Sequence, residues 1–237
     1  MKASLARRAS AEFLGTACLV TAVVGSGIMA ERLANGNAAL ALLCNTIATG
    51  AALIALILTF GPISGAHFNP AVTLSDALER GIPWADVPTY IASQFIGAIG
   101  GAVVGNLMFN LPAVSFSHRA RSGAGQIFAE FVATFGLLSV IWGCSRHRST
   151  AVPFAVGAYI TSAYWFTSST AFANPAVTLA RSVSDTFAGI RPVDVLPFVL
   201  AQVAGAICAT LLFRLLVPTL KATASEVLLP QDVDQRS

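Results

Sequence analysis

Two stretches decide the fold: Phe68-Asn69-Pro70-Ala71-Val72-Thr73-Leu74 and Ala173-Asn174-Pro175-Ala176-Val177-Thr178-Leu179. A lone Asn-Pro-Ala triplet would be an ordinary turn. Two copies, each running on into Val-Thr-Leu, are a repeated device. Pro suits the first turn of a helix, where its missing N–H would have no partner anyway. Asn just before it can cap that helix through its side-chain oxygen, and its amide group can still face a lumen. The apolar stretches that begin there, Ala71–Leu78 and Ala176–Val183, are about 8 residues each, or about 12 Å of helix. That is less than half of a hydrocarbon core of about 30 Å. Each stretch reaches from a membrane midplane to one surface and no further.

Working outward, the surroundings of the two motifs match as well. Ala11-Glu12-Phe13-Leu14-Gly15-Thr16 is echoed by Ala129-Glu130-Phe131-Val132-Ala133-Thr134. Gln94-Phe95-Ile96-Gly97-Ala98 is echoed by Gln202-Val203-Ala204-Gly205-Ala206. The offsets are 118 from Glu12 to Glu130, 105 from Asn69 to Asn174 and 108 from Gln94 to Gln202, so order is kept while loop lengths drift. Between these landmarks lie six long apolar runs, roughly Ala11–Ala30, Ala38–Phe60, Thr89–Phe109, Gln126–Cys144, Thr150–Phe166 and Leu196–Val217. Each is close to the about 20 residues that cross a bilayer.

Composition agrees. The chain has 237 residues, 55% hydrophobic and only 11% charged, where a soluble domain carries about a quarter charged residues. A soluble bundle of six buried helices in so short a chain is set aside on that ground. The first run is too long for a removable signal peptide and lacks a clear small-residue cleavage pattern.

Three crossings per half is an odd number, so the second half enters from the opposite side and the repeat is inverted. Channels and transporters are built this way, with their sites near the midplane between the halves. The expected domains are an N-terminal segment 1–8, a membrane domain 9–217 with repeats near 9–112 and 124–217, and a tail 218–237. Irregular backbone at membrane depth is tolerated only when buried in protein or lining a water-filled cavity. Gly61 to His67 and Thr167 to Thr170 supply such stretches, whose carbonyls can form a ladder of acceptors. Two half-helices meeting N-terminus to N-terminus place positive dipole ends at the centre, a barrier to cations and protons.

Orientation follows the Lys and Arg distribution. With both termini inside, the cytoplasmic side holds nine (Lys2, Arg7, Arg8, Arg80, Arg146, Arg148, Arg214, Lys221, Arg236) and the outer side five (Arg32, Arg119, Arg121, Arg181, Arg191). The net charge of +3 is therefore a topology signal, and nucleic acid is not an expected partner. No nucleophile–base pair, phosphate loop or metal-ligand spacing appears, so neither an enzyme nor a cofactor is expected. Cys18, Cys44, Cys144 and Cys208 read as small packing residues. Gly97, Gly100, Gly101 and Gly105 read as points of close helix approach.

From about Arg8 to Val217 the chain resembles the major intrinsic proteins, the aquaporins and aquaglyceroporins. The resemblance rests on the paired motifs Asn69-Pro70-Ala71 and Asn174-Pro175-Ala176 and the repeat around them. It implies an all-α integral membrane fold of six spanning helices plus two re-entrant half-helices, one pore per protomer, and a homotetramer in a bilayer. It implies that Glu12 and Glu130 brace the re-entrant loops by accepting hydrogen bonds from their backbone. His67 would pack beside the first half-helix or be a satisfied loop histidine.

The departures from the family carry the specificity. The family's constriction is made by four positions. The one three residues after the second Asn is nearly always arginine, and here it is Val177. The one on the second helix, twenty residues before the first Asn, is usually aromatic, and here it is Thr49. Both changes widen the pore, and the first removes a fixed positive charge. For the other two positions, counting back from Asn174 nominates Ser162 and Ala171, whereas counting along the fifth helix nominates Tyr164 and Phe172. Arg181, one turn beyond Val177, either swings back toward the constriction or sits at the rim paired with Asp185, and the second is the preferred expectation.

The implied function is a passive channel in the cell membrane for small uncharged solutes: glycerol-like polyols, urea, water, and arsenite as its neutral trihydroxide. Arsenite and methylated arsenicals enter because an Asn-Pro-Ala-Val motif looks like a bacterial branch often encoded beside arsenic-resistance genes. The alternatives are a water-selective pore, a coupled transporter and a closed junctional protein.

Overall fold

The computed structural model describes residues 3–145 and 149–216. Lys2, Arg146, Arg148, Val217, Lys221, Arg236 and the tail 218–237 lie outside the described residues. The regular structure of the described residues is all helical: α1 Leu5–Leu33, α2 Ala38–Ser64, α3 Pro70–Leu78, α4 Val87–Met108, α5 Ala124–Ser145, α6 Val152–Phe166, α7 Pro175–Arg181 and α8 Pro192–Leu216. Five of them (α1, α2, α4, α5 and α8) are long and apolar enough to cross a membrane. The sixth, α6, has 15 residues and is led in by a 3-10 turn at Ser149–Ala151. At about 1.5 Å per residue it rises about 22 Å, the shortest of the long helices.

Local chemistry explains the ends. Ser4 caps α1 by accepting from Arg7 N–H, and Asn37 caps α2 by accepting from Leu40 N–H. The second helix runs further than its hydropathy suggests. It passes through Pro62 to Ser64 and stops at Gly65, whose φ of 89° closes it in the left-handed conformation. The irregular stretch therefore begins at Gly65, not at Gly61. The second half-helix is shorter than expected and ends at Arg181.

The halves are built alike. In the first, α1 packs on α2 and α4; in the second, α5 packs on α6 and α8. The helix α2 meets α6 across the middle, and each half-helix reaches into the other half, α3 onto α8 and α7 onto α1 and α4. The close approaches repeat too. A Cβ on Gly97 would run into the carbonyl of Phe13, and one on Gly205 into the carbonyl of Phe131, one residue after Glu12 and Glu130 respectively. Gly100 does not fit this pattern, since nothing lies within 4 Å of where its Cβ would be.

Charge divides by end. Arg8 pairs with Asp86 at 2.8 Å and Arg214 with Glu79 at the end where α1 begins and α8 finishes. Arg119 pairs with Glu31 at 3.3 Å and Arg191 with Asp194 at 2.9 Å at the other end. Between them the outer helix faces carry bare apolar side chains such as Ile96, Phe128, Leu200 and Leu211. Such a belt suits lipid or a neighbouring protomer. Cys18, Cys44 and Cys208, read from the sequence as small packing residues, lie exposed on these faces, and Cys144 is partly tucked against the core.

Candidate functional site

The two motifs fold as mirror devices. The side-chain oxygen of Asn69 accepts from Ala71 N–H at 2.9 Å. That of Asn174 accepts from Ala176 N–H at 3.0 Å and Val177 N–H at 3.2 Å. Each Asn thus caps its own half-helix, with Pro70 or Pro175 at the first position. Their amide groups cross over: Asn69 Nδ2 donates to Ala173 O at 2.7 Å, and Asn174 Nδ2 donates to Phe68 O at 2.8 Å. An amide carries two N–H groups, so each Asn keeps one donor beyond this bond.

The loops before the motifs are strained in the same register. Gly65, Ala66 and Phe68 have φ of 89°, 51° and 49°; Thr170, Ala171 and Ala173, each 105 residues on, have 62°, 46° and 48°. Left-handed backbone at a residue with a Cβ costs on the order of 1–3 kcal/mol and persists only where its surroundings hold it. The holding groups are two buried carboxylates. Glu12 accepts from His67 N–H at 3.0 Å, Phe68 N–H at 2.7 Å, Ser64 Oγ at 2.6 Å and Gln94 Nε2 at 2.8 Å. Glu130 accepts from Phe172 N–H and Ala173 N–H at 2.9 Å each, and from Gln202 Nε2 at 2.5 Å. Gln94 and Gln202 each also reach a threonine of a half-helix, Thr73 and Thr178, at 2.8 Å. Sequence reasoning used these glutamines only as repeat markers. A polar side chain at equivalent depth in two apolar helices is the signal that could have assigned them to the brace.

His67 is buried beside α3. Its Nδ1 lies 3.0 Å from Thr73 Oγ1 and its Nε2 3.5 Å from Asp76 Oδ2.

Between the halves lies a cavity of about 70 Å³. Asn69, Asn174, Thr49, Tyr164, Ala171, Phe172, Val177 and Arg181 all line it, among apolar neighbours such as Leu53, Val72 and Ile160. Tyr164 Oη donates to Thr49 Oγ1 at 3.3 Å, joining α6 to α2 across it. Ser162, the other candidate on α6, is exposed and donates to Tyr159 O at 2.7 Å. It does not reach the cavity, because two residues along a helix is about 200° of rotation. Ala171 and Phe172 do not exclude each other, since both line the wall.

Arg181 is not at the rim. It is 2% exposed, its Nε donates to the carbonyl of Ala188, and its guanidinium carbon sits 3.3 Å over the centre of the Phe172 ring. Asp185, the partner expected for it, is taken by His118 instead. The His118 N–H donates to Asp185 at 2.9 Å and holds its carboxyl below the usual range. A second arginine was missed as a site residue. Arg121, from the loop between α4 and α5, has its guanidinium carbon 4.9 Å from the centre of the same ring, Phe172. It spends its donors on the carbonyls of Gly189 at 2.8 Å, Ser169 at 3.2 Å and Phe187 at 3.4 Å. Its own backbone N–H is fixed by Asp194 at 2.8 Å.

Comparison with known proteins agrees with this architecture. The family profile described as Major intrinsic protein matches residues 1–161 and 145–235. The chain is 51% identical over 226 residues to "Aquaglyceroporin AqpS" of Rhizobium meliloti (strain 1021), covering 94% of this chain and 97% of that one. It is 35% identical over 164 residues to "Aquaporin NIP3-1" of Oryza sativa subsp. japonica, covering 67% of this chain and 52% of that one. Among solved structures, the aquaglyceroporin from Plasmodium falciparum superposes with a TM-score of 0.71 at 20% identity, covering 92% of this chain and 100% of that one, a likeness of fold. With a matching profile over both halves and a near full-length relative at this identity, the chain belongs to the major intrinsic protein family.

Proposed function

We propose that the chain is a passive channel for small uncharged solutes, with a constriction made by Thr49, Tyr164, Phe172 and Val177. The observation that carries this reading is that these four side chains line one narrow cavity together with both motif asparagines. Thr49 and Val177 contribute small walls where the family places an aromatic ring and an arginine. The Thr49 and Tyr164 hydroxyls and the asparagine amides offer hydrogen bonds to a solute hydroxyl, while Val177, Leu53 and Ile160 face its carbon skeleton. Glycerol has that division of surface. Arsenite as the neutral trihydroxide has a similar size and hydroxyl pattern, and methylated arsenicals, urea and water are further solutes of this pore. The name of the Rhizobium relative supports the polyol reading.

Glu12 and Glu130, the two carboxylates within the apolar runs of α1 and α5, give no support to a coupled transporter. Coupling needs a buried ionisable group free to exchange a proton or ion. Both carboxylates are committed to backbone and glutamine donors. The proposed setting is a homotetramer in the cell membrane, with both termini cytoplasmic, in keeping with the arginine distribution and the apolar outer faces.

The test is solute-driven light scattering of proteoliposomes carrying the chain, beside Val177→Arg. Wild type is expected to pass glycerol and arsenite without any ion gradient, and the variant to lose the larger solute first. Water-only flux in the parent would sink the proposal.

A further inference from the structure

Arg181 and Arg121 grip one ring but do different work. Both guanidiniums face Phe172, at 3.3 Å and 4.9 Å, and among the described residues neither has a carboxylate partner. Arg121 is consumed by backbone carbonyls. Arg181 is not: among the described residues only its Nε donates, to Ala188 O. Among the described residues its two terminal nitrogens have no protein acceptor, the residue is almost wholly buried, and it lines the cavity. A buried guanidinium with idle donors needs something to receive them, since unmet donors in a low-dielectric site are costly. The cavity is the space left to supply it. A helical residue's long side chain covers the turn N-terminal to its own Cα. For Arg181 that turn begins at Val177, the position from which the charge is missing.

We infer that Arg181 is the specificity-determining cation of this pore: reaching back from one turn beyond Val177, it bars cations and donates to the oxygen atoms of passing neutral solutes. Arg121 is a positioning residue, holding Phe172 and the loop Ser169–Thr170 so that the Arg181 guanidinium keeps its place over the ring. The widened wall at Val177 and the electrostatic barrier are thereby separated onto two residues. The pore gains width at Val177 without losing its positive charge, which the half-helix dipoles alone would otherwise have to supply. The inference rests on the reading of Thr49 and Val177 as the constriction.

The experiment reads sodium or potassium leak, by a potential-sensitive dye, and glycerol flux in the same proteoliposomes. It compares wild type, Arg181→Met, Arg181→Lys, Val177→Arg and the double variant Val177→Arg/Arg181→Met. Arg181→Met keeps an apolar stem over Phe172 and removes the charge. Its cation leak is expected to rise about tenfold, the scale of one unit charge acting across a partly desolvated lumen. Arg181→Lys is expected to stay tight, and the double variant to become tight again with reduced glycerol flux. An unchanged leak in Arg181→Met overturns the inference, and so does a leak in Arg181→Lys equal to that of Arg181→Met, because packing and not charge would then be responsible. Unchanged glycerol flux in Val177→Arg alone overturns the constriction reading instead, so the two failures are told apart.

Discussion

The side-chain amide of Asn69 donates to the carbonyl of Ala173 at 2.7 Å, the residue just before the other motif asparagine. The reciprocal bond, Asn174 to Phe68 O at 2.8 Å, closes a ring of four groups at the centre of the molecule. The two half-helices therefore do not merely abut; each asparagine fixes the loop that presents the other. Asn69→Ala removes a cap worth about 0.5–2 kcal/mol. It also leaves the Ala173 carbonyl without its donor, at about 1–3 kcal/mol. Thermal unfolding of the purified protein in detergent is expected to show the loss. The sharper check is a double-mutant cycle with Asn174→Ala. Groups in one network couple by about 0.5–3 kcal/mol. Strictly additive losses would mean the two caps act alone.

The carboxylate braces give a second expectation, with an internal ranking. Glu12 receives four donors and Glu130 three. Each orphaned buried donor costs about 1–3 kcal/mol, so Glu12→Ala is expected to destabilise more than Glu130→Ala. The left-handed residues they hold should relax as well. Hydrogen exchange at the His67 and Phe68 amides is expected to accelerate in Glu12→Ala while the Phe172 and Ala173 amides stay slow, and the reverse in Glu130→Ala. Equal acceleration of both loops in either variant would refute separate bracing.

How far the sequence reached depends on the range of the interactions involved. The half-helices, their caps and the inverted order were legible because Asn-Pro-Ala acts on its own neighbours, through φ of proline and a side chain two residues from its acceptor. The Glu12 and Glu130 contacts followed from family resemblance, and their burial makes physical sense of a charge in an apolar run. The choice between Ser162 and Tyr164 was not legible, since it turns on loop length, and three left-handed residues before Asn174 take up chain in a way no count anticipates. Arg181 was misplaced for a related reason. A long flexible side chain goes where tertiary partners send it, and those partners, Ala188 O and a ring steadied by Arg121, come from segments distant in sequence or conformation. Asp185 looked like a natural mate, but the His118 backbone had claimed it.

Asp76 supplies the last expectation. It is wholly buried on α3, and among the described residues neither of its oxygens has a hydrogen-bond partner. Its near neighbour is His67 Nε2 at 3.5 Å, itself unpartnered. Thr73 bears on where the proton lies. With its hydroxyl donated to Asn69 O at 3.2 Å, it accepts from His67, whose Nδ1 at 3.0 Å is then the donor. A neutral His67 so arranged turns a lone pair on Nε2 toward Asp76, and two acceptors would face each other unless a proton lies between them. An amide at position 76 meets that need without any charge, since Nδ2–H can donate to Nε2. Asp76→Asn is therefore expected to leave the unfolding temperature unchanged or raise it, because an isosteric neutral donor replaces a buried acid that is expensive to ionise. Asp76→Ala, which leaves Nε2 with no donor and opens a small void, is expected to lower it by the equivalent of about 1–3 kcal/mol. If Asp76→Asn proves as damaging as Asp76→Ala, the pair is an ion pair of charged His67 and ionised Asp76, and the proton assignment through Thr73 is wrong.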